Sequence, residues 1–159
     1  MDALRIRVES NVQAVFSPLY VEKYELPLLA AHVPAGFPSP ATDYAEEPLD
    51  LSRYLIRHPV ATFFVRVQGD SMTGARIFDG DLLVVDRAEE VRGNHIVLAQ
   101  IGGESVVKRL RQIDRQLWLC SENPAFPSFP ITEEAETVIW GRVMHSVTHH
   151  CVMNPRKAR

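Results

Sequence analysis

The sequence is poor in cysteine, with Cys120 and Cys151 as the two examples among 159 residues. Cysteine-based metal sites use closely spaced pairs, and two residues so far apart in the chain match no such motif. Few cysteines in a protein of this size are typical of a reducing compartment, although two can still pair with each other. We therefore expect a cytoplasmic protein that has no metal and no other cofactor.

Long apolar runs and an excess of positive charge are also missing. No stretch approaches the roughly 18 apolar residues that span a bilayer, and the start, Met1–Arg5, lacks the apolar run of a secretory signal. The formal net charge of -3 argues against broad electrostatic capture of nucleic acid. The sequence thus predicts a protein without a membrane anchor and without a general affinity for nucleic acid.

Apolar residues are abundant enough for a real core, since they make up 46% of the chain. The length fits one domain of ordinary size with flanking segments. We expect three parts, which are an N-terminal arm over residues 1–47, a compact domain over 48–148 and a basic tail over 149–159.

The window from Pro34 to Pro48 is rich in proline. Proline removes an amide donor and pushes the preceding residue to extended geometry, so this part of the arm is predicted to be extended and irregular. A surface linker is the simpler interpretation. The alternative is a protease substrate, because proteases bind chains in extended form, and the small residues Ala35 and Gly36 would then flank the scissile bond.

Beyond the arm, the signals are mainly those of β structure. A short helix is predicted within Leu49–His58, capped by Asp50 or Ser52 and ending before Pro59. Gly102-Gly103 lies between two strand-like runs and predicts a hairpin. No long helix alternates with the strands, which argues against a parallel α/β sheet. Besides a short strand at 5–9, about six strands are expected, at 61–67, 82–86, 96–101, 105–110, 116–120 and 137–147.

Ser71 stands in the turn-like segment Gly69-Asp70-Ser71-Met72. A serine hydroxyl is a poor nucleophile at neutral pH and needs a base beside it. Gly69 permits a sharp turn that would expose Ser71 at a strand end or in the first turn of a short helix, where nearby backbone amides could stabilise an oxyanion. An ordinary turn is the competing interpretation, since Gly-Asp-Ser is common turn chemistry.

Lys108 lies on the second arm of the predicted hairpin. Because side chains alternate along a strand, Val106, Lys108 and Leu110 share one face. A lysine between two apolar neighbours on the core side would be desolvated, which lowers its pKa and allows it to act as a base. Val107 occupies the other face, so a surface lysine with its stem on apolar groups remains the alternative.

Histidine offers another base, and six are available. None has an acidic partner nearby in the sequence, although catalytic triads assemble from distant positions. His145, His149, His150 and Cys151 also suggest a zinc cluster. No second ligand pair accompanies them, and the preceding strand does not suit helical ligand spacing, so the sequence argues against a metal.

Several segments taken in order resemble the LexA-like serine peptidase family. They are Gly69-Asp70-Ser71-Met72, the run 79–86, Val107-Lys108-Arg109-Leu110, the run 123–131 and Gly141-Arg142-Val143. The segment 35–44 resembles the cleavage region of the UmuD-type members. The resemblance covers residues 33–148 and implies a LexA/signal-peptidase-like β domain preceded by an extended arm.

The resemblance implies roles for four residues and a set of partners. Ser71 is implied as the nucleophile, Lys108 as the general base, and Ala35 and Gly36 as the residues on either side of the cleaved bond. It also implies a homodimer, stimulation by a RecA–single-stranded DNA filament, and a UmuC-type Y-family polymerase that the trimmed form joins for translesion synthesis in the SOS response. The short arm leaves no room for a DNA-binding domain, so we expect no sequence-specific DNA binding.

Two other functions stay open at this point. One is a non-enzymatic accessory dimer that serves as a platform for a polymerase, with Ser71 and Lys108 vestigial. The other is an enzyme that acts in trans like a signal peptidase, against which the missing membrane anchor counts.

Overall fold

The computed structural model describes residues 12–16, 25, 26, 28, 48–132 and 134–150. The chain divides into two compact units, one formed by residues 1–18 with 58–159 and the other by residues 19–57. Most of the predicted arm and of the predicted tail lie outside the described residues, as does the strand expected at 5–9. The boundaries after residues 47 and 148 therefore stay predictions.

The described residues form ten strands and one short α-helix, α1 (Leu51–Leu55). In chain order the strands are β1 (Val12–Phe16), β2 (Glu25–Leu26), β3 (Leu49–Asp50), β4 (Thr62–Val67), β5 (Leu82–Asp86), β6 (Ile96–Ile101), β7 (Glu104–Ile113), β8 (Gln116–Cys120), β9 (Phe129–Pro130) and β10 (Thr137–Val147). A 3₁₀ turn covers Thr73–Ala75. The prediction of a mainly β fold is confirmed.

The larger unit contains an eight-stranded sheet in the order β1-β4-β5-β10-β6-β7-β8-β9. Every recorded pairing in it is antiparallel. The last strand among the described residues, β10, lies between β5 and β6 and carries two register shifts. The sheet therefore brings β4, β5, β6 and β7 together although loops separate them in the sequence.

The smaller unit contains β2, β3 and α1. The strands pair antiparallel through Glu25 with Asp50 and Leu26 with Leu49. Asp50 caps the helix, because its side chain accepts a hydrogen bond from the backbone N–H of Arg53 at 3.1 Å. The predicted helix with Asp50 as a cap, ending before Pro59, is confirmed.

Each of the six strands predicted between residues 61 and 147 is present. Gly102 and Gly103 form the hairpin turn with positive φ values of 57° and 88°, as their lack of a Cβ allows. The second hairpin strand, β7, extends to Ile113, beyond the predicted end at residue 110. The sequence did not predict β1, β2, β3 or β9.

Two hydrophobic clusters form the core of the larger unit, and β7 contributes to both. The first includes Val107 and the second includes Val106 and Leu110. Both faces of β7 are therefore covered at this point, which excludes a surface position for the lysine between Val107 and Arg109. Within the described part of the chain, no helix has the length and apolar character that a membrane crossing needs.

Candidate active site

A tight loop between β4 and β5 positions Ser71. Gly69 has a φ of 85°, a backbone conformation that glycine adopts without strain. Its N–H donates to the Asp79 carboxylate at 2.7 Å, and the Val67 N–H donates to the carbonyl of Asp81 at 2.9 Å. These bonds close the base of the loop, and Ser71 lies between the end of β4 and the 3₁₀ turn. The prediction that the turn exposes Ser71 is wrong, because the surrounding structure buries the side chain.

Lys108 lies in the middle of β7, opposite Val97 of β6. The residue is 4% exposed. Burial removes water from the ammonium group and lowers the pKa of Lys108 to about 8. A substantial fraction of this side chain is therefore neutral at mildly alkaline pH, which is the state that a general base requires.

The two predicted residues meet in the structure. The Nζ atom of Lys108 donates a hydrogen bond to the Oγ atom of Ser71 at 2.9 Å, and Ser71 is 5% exposed. When Lys108 loses its proton, its lone pair faces the hydroxyl, so the pair has the geometry for transfer of the serine proton to the lysine.

A segment after β8 holds the serine loop from the other side. The Glu122 N–H donates to the carbonyl of Ser71 at 2.9 Å, and the Glu122 carbonyl accepts from the Gly74 N–H at 2.7 Å. The side-chain amide of Asn123 donates to the carbonyl of Asp70 at 2.9 Å. Sequence reasoning gave Glu122 and Asn123 no role. The one signal was that Asn123 begins one of the segments resembling the family.

The Glu122 carboxylate is ion-paired with β7. Its Oε1 atom accepts from Arg109 Nε at 2.8 Å and from Arg111 Nη2 at 2.9 Å. Partial burial opposes ionisation of Glu122, yet the hydrogen bonds from Arg109 and Arg111 outweigh it and hold the pKa below its ordinary value. Glu122 is therefore ionised at neutral pH and bound to the strand that carries Lys108.

Two histidines have partners of their own, whereas Lys108 contacts the serine hydroxyl directly. His58 donates through Nδ1 to Asp86 Oδ2 at 2.7 Å, a pairing that sequence proximity did not predict. In the described residues, His58, Asp86 and Glu89 place ligand atoms within 4.8 Å of one another. His58 and Asp86 are already paired, and Arg142 contacts Glu89 at 3.4 Å, so we assign no metal there.

The predicted cleavage residues Ala35 and Gly36 lie outside the described residues, as does Cys151 of the zinc cluster that the sequence argued against. The described site therefore consists of Ser71 and Lys108, with Glu122 and Asn123 beside the serine loop.

Known proteins with related sequences match most of this chain. SamA of Salmonella typhimurium strain LT2 is 53% identical over 102 residues, which are 64% of this chain and 72% of SamA. MucA of Escherichia coli is 45% identical over 130 residues, 81% of this chain and 88% of MucA. LexA repressor 1 of Pseudomonas putida strain KT2440 is 39% identical over 121 residues, 76% of this chain but 59% of the repressor.

An antiparallel β domain with a serine hydrogen-bonded to a buried lysine is the arrangement expected of a LexA-like serine peptidase. The Peptidase S24-like family profile matches residues 27–144. The chain belongs to this family. The resemblance to its UmuD-type members, predicted from the sequence motifs, is confirmed.

Proposed function

We propose that this protein is a self-cleaving serine endopeptidase of the SOS response that cuts its own arm between Ala35 and Gly36. The observation that carries the proposal is the 2.9 Å hydrogen bond between Lys108 Nζ and Ser71 Oγ, made by two buried side chains. Membership of the Peptidase S24-like family supports it. Ser71 is the nucleophile, and Lys108 is the general base.

The reaction begins when the extended arm docks over the site. Neutral Lys108 accepts the Ser71 proton while Oγ bonds to the carbonyl carbon of Ala35, and backbone N–H groups beside Ser71 stabilise the oxyanion. The C–N bond then breaks, and Lys108 returns the proton to the Gly36 nitrogen. Water hydrolyses the ester between Ser71 and Ala35, with Lys108 again as the base.

Docking of the arm is the step at which cleavage is controlled. The substrate belongs to the same molecule, so cleavage depends on the population of the docked arm rather than on tight binding. A RecA–single-stranded DNA filament would accelerate cleavage by binding the docked conformer more tightly than the undocked one. The trimmed form, residues 36–159, would act as a cytoplasmic homodimer and accessory subunit of a UmuC-type translesion polymerase.

An assay at neutral pH tests this regulation. Full-length protein is incubated with RecA, single-stranded DNA and a non-hydrolysable ATP analogue, beside a mixture without the DNA and a Ser71→Ala variant. We expect the 36–159 product to form much faster in the complete wild-type mixture than in the mixture without DNA, and not to form from the Ser71→Ala variant. Equal cleavage with and without the filament would contradict regulation by RecA.

Binding of the polymerase is tested separately. Full-length Ser71→Ala protein and a chain expressed as residues 36–159 are each mixed with a purified UmuC-type polymerase. We expect tighter binding by the trimmed chain. If both forms bind equally and the full-length wild type never cleaves, the non-enzymatic accessory dimer becomes the better description.

A further inference from the structure

Glu122 links the loop of Ser71 to the strand of Lys108. Its backbone N–H donates to the Ser71 carbonyl, and its own carbonyl accepts from the Gly74 N–H, so two bonds bracket the loop from residue 71 to residue 74. Its carboxylate accepts from Arg109, which directly follows Lys108 on β7. A single residue is therefore bound through its backbone to one half of the site and through its side chain to the other.

The Arg109 side chain, which binds the Glu122 carboxylate, is itself held in place by a second hydrogen bond. Arg109 donates through Nη1 to the Asn94 carbonyl at 2.6 Å while its Nε holds Glu122 at 2.8 Å. Arg111 supplies a second charge-assisted bond to the same carboxylate oxygen. Such bonds are short and strong when the carboxylate is mostly shielded from water, and the Glu122 side chain is 16% exposed. The Glu122 carboxylate is therefore held firmly against β7.

Asn123 adds a contact to the residue before the nucleophile. Its Nδ2 donates to the Asp70 carbonyl at 2.9 Å, while its Oδ1 accepts from the Ala125 N–H at 3.0 Å. The second bond orients the amide so that its donor side faces the serine loop. Together, Glu122 and Asn123 hold the carbonyls of two consecutive residues, Asp70 and Ser71.

The position of Ser71 depends on such contacts because Ser71 lies in a loop, whereas Lys108 lies in a strand. Lys108 is fixed by the hydrogen bonds of a central strand, whereas Ser71 lies in the loop between β4 and β5. A displacement of about 1 Å between reacting groups can cost on the order of a hundredfold in rate. A loop held only at its base would leave the distance between Oγ and Nζ poorly defined.

We propose that Glu122 and Asn123 are positioning residues, a clamp that holds the Ser71 loop at hydrogen-bonding distance from Lys108. This inference rests on the proposed function, which is self-cleavage by Ser71 and Lys108. The clamp acts on the position of Oγ. It does not contact the lysine, whose pKa is lowered by burial.

The test measures first-order self-cleavage of the full chain between pH 6 and 10, without RecA. Asn123→Asp removes the donor to Asp70 and keeps the acceptor for Ala125, and Glu122→Gln removes the charge from the ion pair. Ser121→Ala is the matched control, because the Ser121 hydroxyl donates to the Pro127 carbonyl and the Ser121 N–H donates to Ser128, both on the side away from the Ser71 loop in the sequence. Melting temperatures are recorded for all variants.

We expect both clamp variants to lower the plateau rate by about fivefold or more, Asn123→Asp through the lost hydrogen bond to the Asp70 carbonyl and Glu122→Gln through weaker bonds from Arg109 and Arg111. The pH midpoint should stay at the wild-type value, and melting temperatures should stay near that of Ser121→Ala, which cleaves normally. A residue with only a structural role would instead lower the melting temperature, and would move the pH midpoint if water then reached Lys108.

Clamp variants that cleave within twofold of the wild type would overturn the proposal, as would a shifted pH midpoint. If the wild type itself does not cleave at any pH, the proposed function fails and the clamp fails with it. If the wild type and both variants cleave alike, only the clamp fails, so the two failures are distinguishable.

Discussion

Lys108 Nζ lies 2.9 Å from Ser71 Oγ, although the two residues are 37 positions apart in the chain. The lysine reaches this contact from the middle of a strand and the serine from a loop between two other strands. The hydrogen bond is therefore a product of the folded sheet, and its chemistry depends on the protonation state of a buried amine.

The first prediction concerns the pH dependence of cleavage. Only neutral Lys108 can accept the serine proton, and burial lowers the pKa of Lys108 to about 8. The rate should therefore rise about tenfold per pH unit below this pKa and level off above it. First-order rates between pH 6 and 10, measured by intact mass or gel, give the midpoint. A rate that falls with rising pH across this range would exclude a lysine base.

The second prediction concerns the stability cost of the buried lysine. The pKa of Lys108 is lowered from 10.5 to about 8 on folding, so the unfolded chain binds the extra proton between these values and stability rises with pH in that window. Lys108→Met removes the cost and should raise the free energy of unfolding at pH 6 by about 3 kcal/mol. The gain should shrink as the pH approaches 10.5.

Urea unfolding measures this difference in free energy, with Ser71→Ala in both chains so that neither cleaves itself. Burial is the cause of the lowered pKa and does not need the serine hydroxyl. A methionine variant less stable than its lysine counterpart at pH 6 would show that Lys108 is not desolvated in the folded protein.

The third prediction tests the close approach of the serine loop to the segment after β8. A Cβ added at Gly74 would collide with the backbone carbonyl of Glu122, which cannot swing aside as a side chain can. Gly74→Ala should therefore cost about 1–3 kcal/mol of stability and slow cleavage, because the loop carrying Ser71 must move.

Gly93→Ala is the control for this substitution. A Cβ added at Gly93 would meet no atom within 4 Å, so the change should stay within about 0.5 kcal/mol of the wild type. Urea unfolding and alkaline cleavage are measured on both variants. A Gly74→Ala chain as stable and as active as Gly93→Ala would mean that the contact with Glu122 is looser than the structure describes.

The strands that the sequence predicted and those that it missed differ in how local their signals are. β5 and β6 are runs of β-branched and aliphatic residues, and Gly102-Gly103 marks the next hairpin, so short windows were sufficient. β9 contains two residues, one of them a proline, and offers no periodic pattern. β1 was missed because its partner β4 lies far along the chain. A short stretch of sequence contains no signal of a pairing between such distant segments.

The residues of the site also differ in whether a local sequence signal reveals them. Alternation along a strand placed Lys108 between Val106 and Leu110, and the motif order paired it with Ser71. Glu122 could not be found by those means, because an acidic residue after a strand end is ordinary for a protein surface. Its importance comes from Gly74, Arg109 and Ser71, which approach it only in the folded chain.

The most direct test of the central claim is the intact mass of the purified full-length chain after incubation at about pH 10, where Lys108 is neutral. Ser71→Ala and Lys108→Ala chains are incubated beside it. We expect a new species with the mass of residues 36–159 in the wild type and its absence from both variants. The same species in either variant, or no cleavage of a folded wild-type chain, would contradict the proposed serine–lysine mechanism.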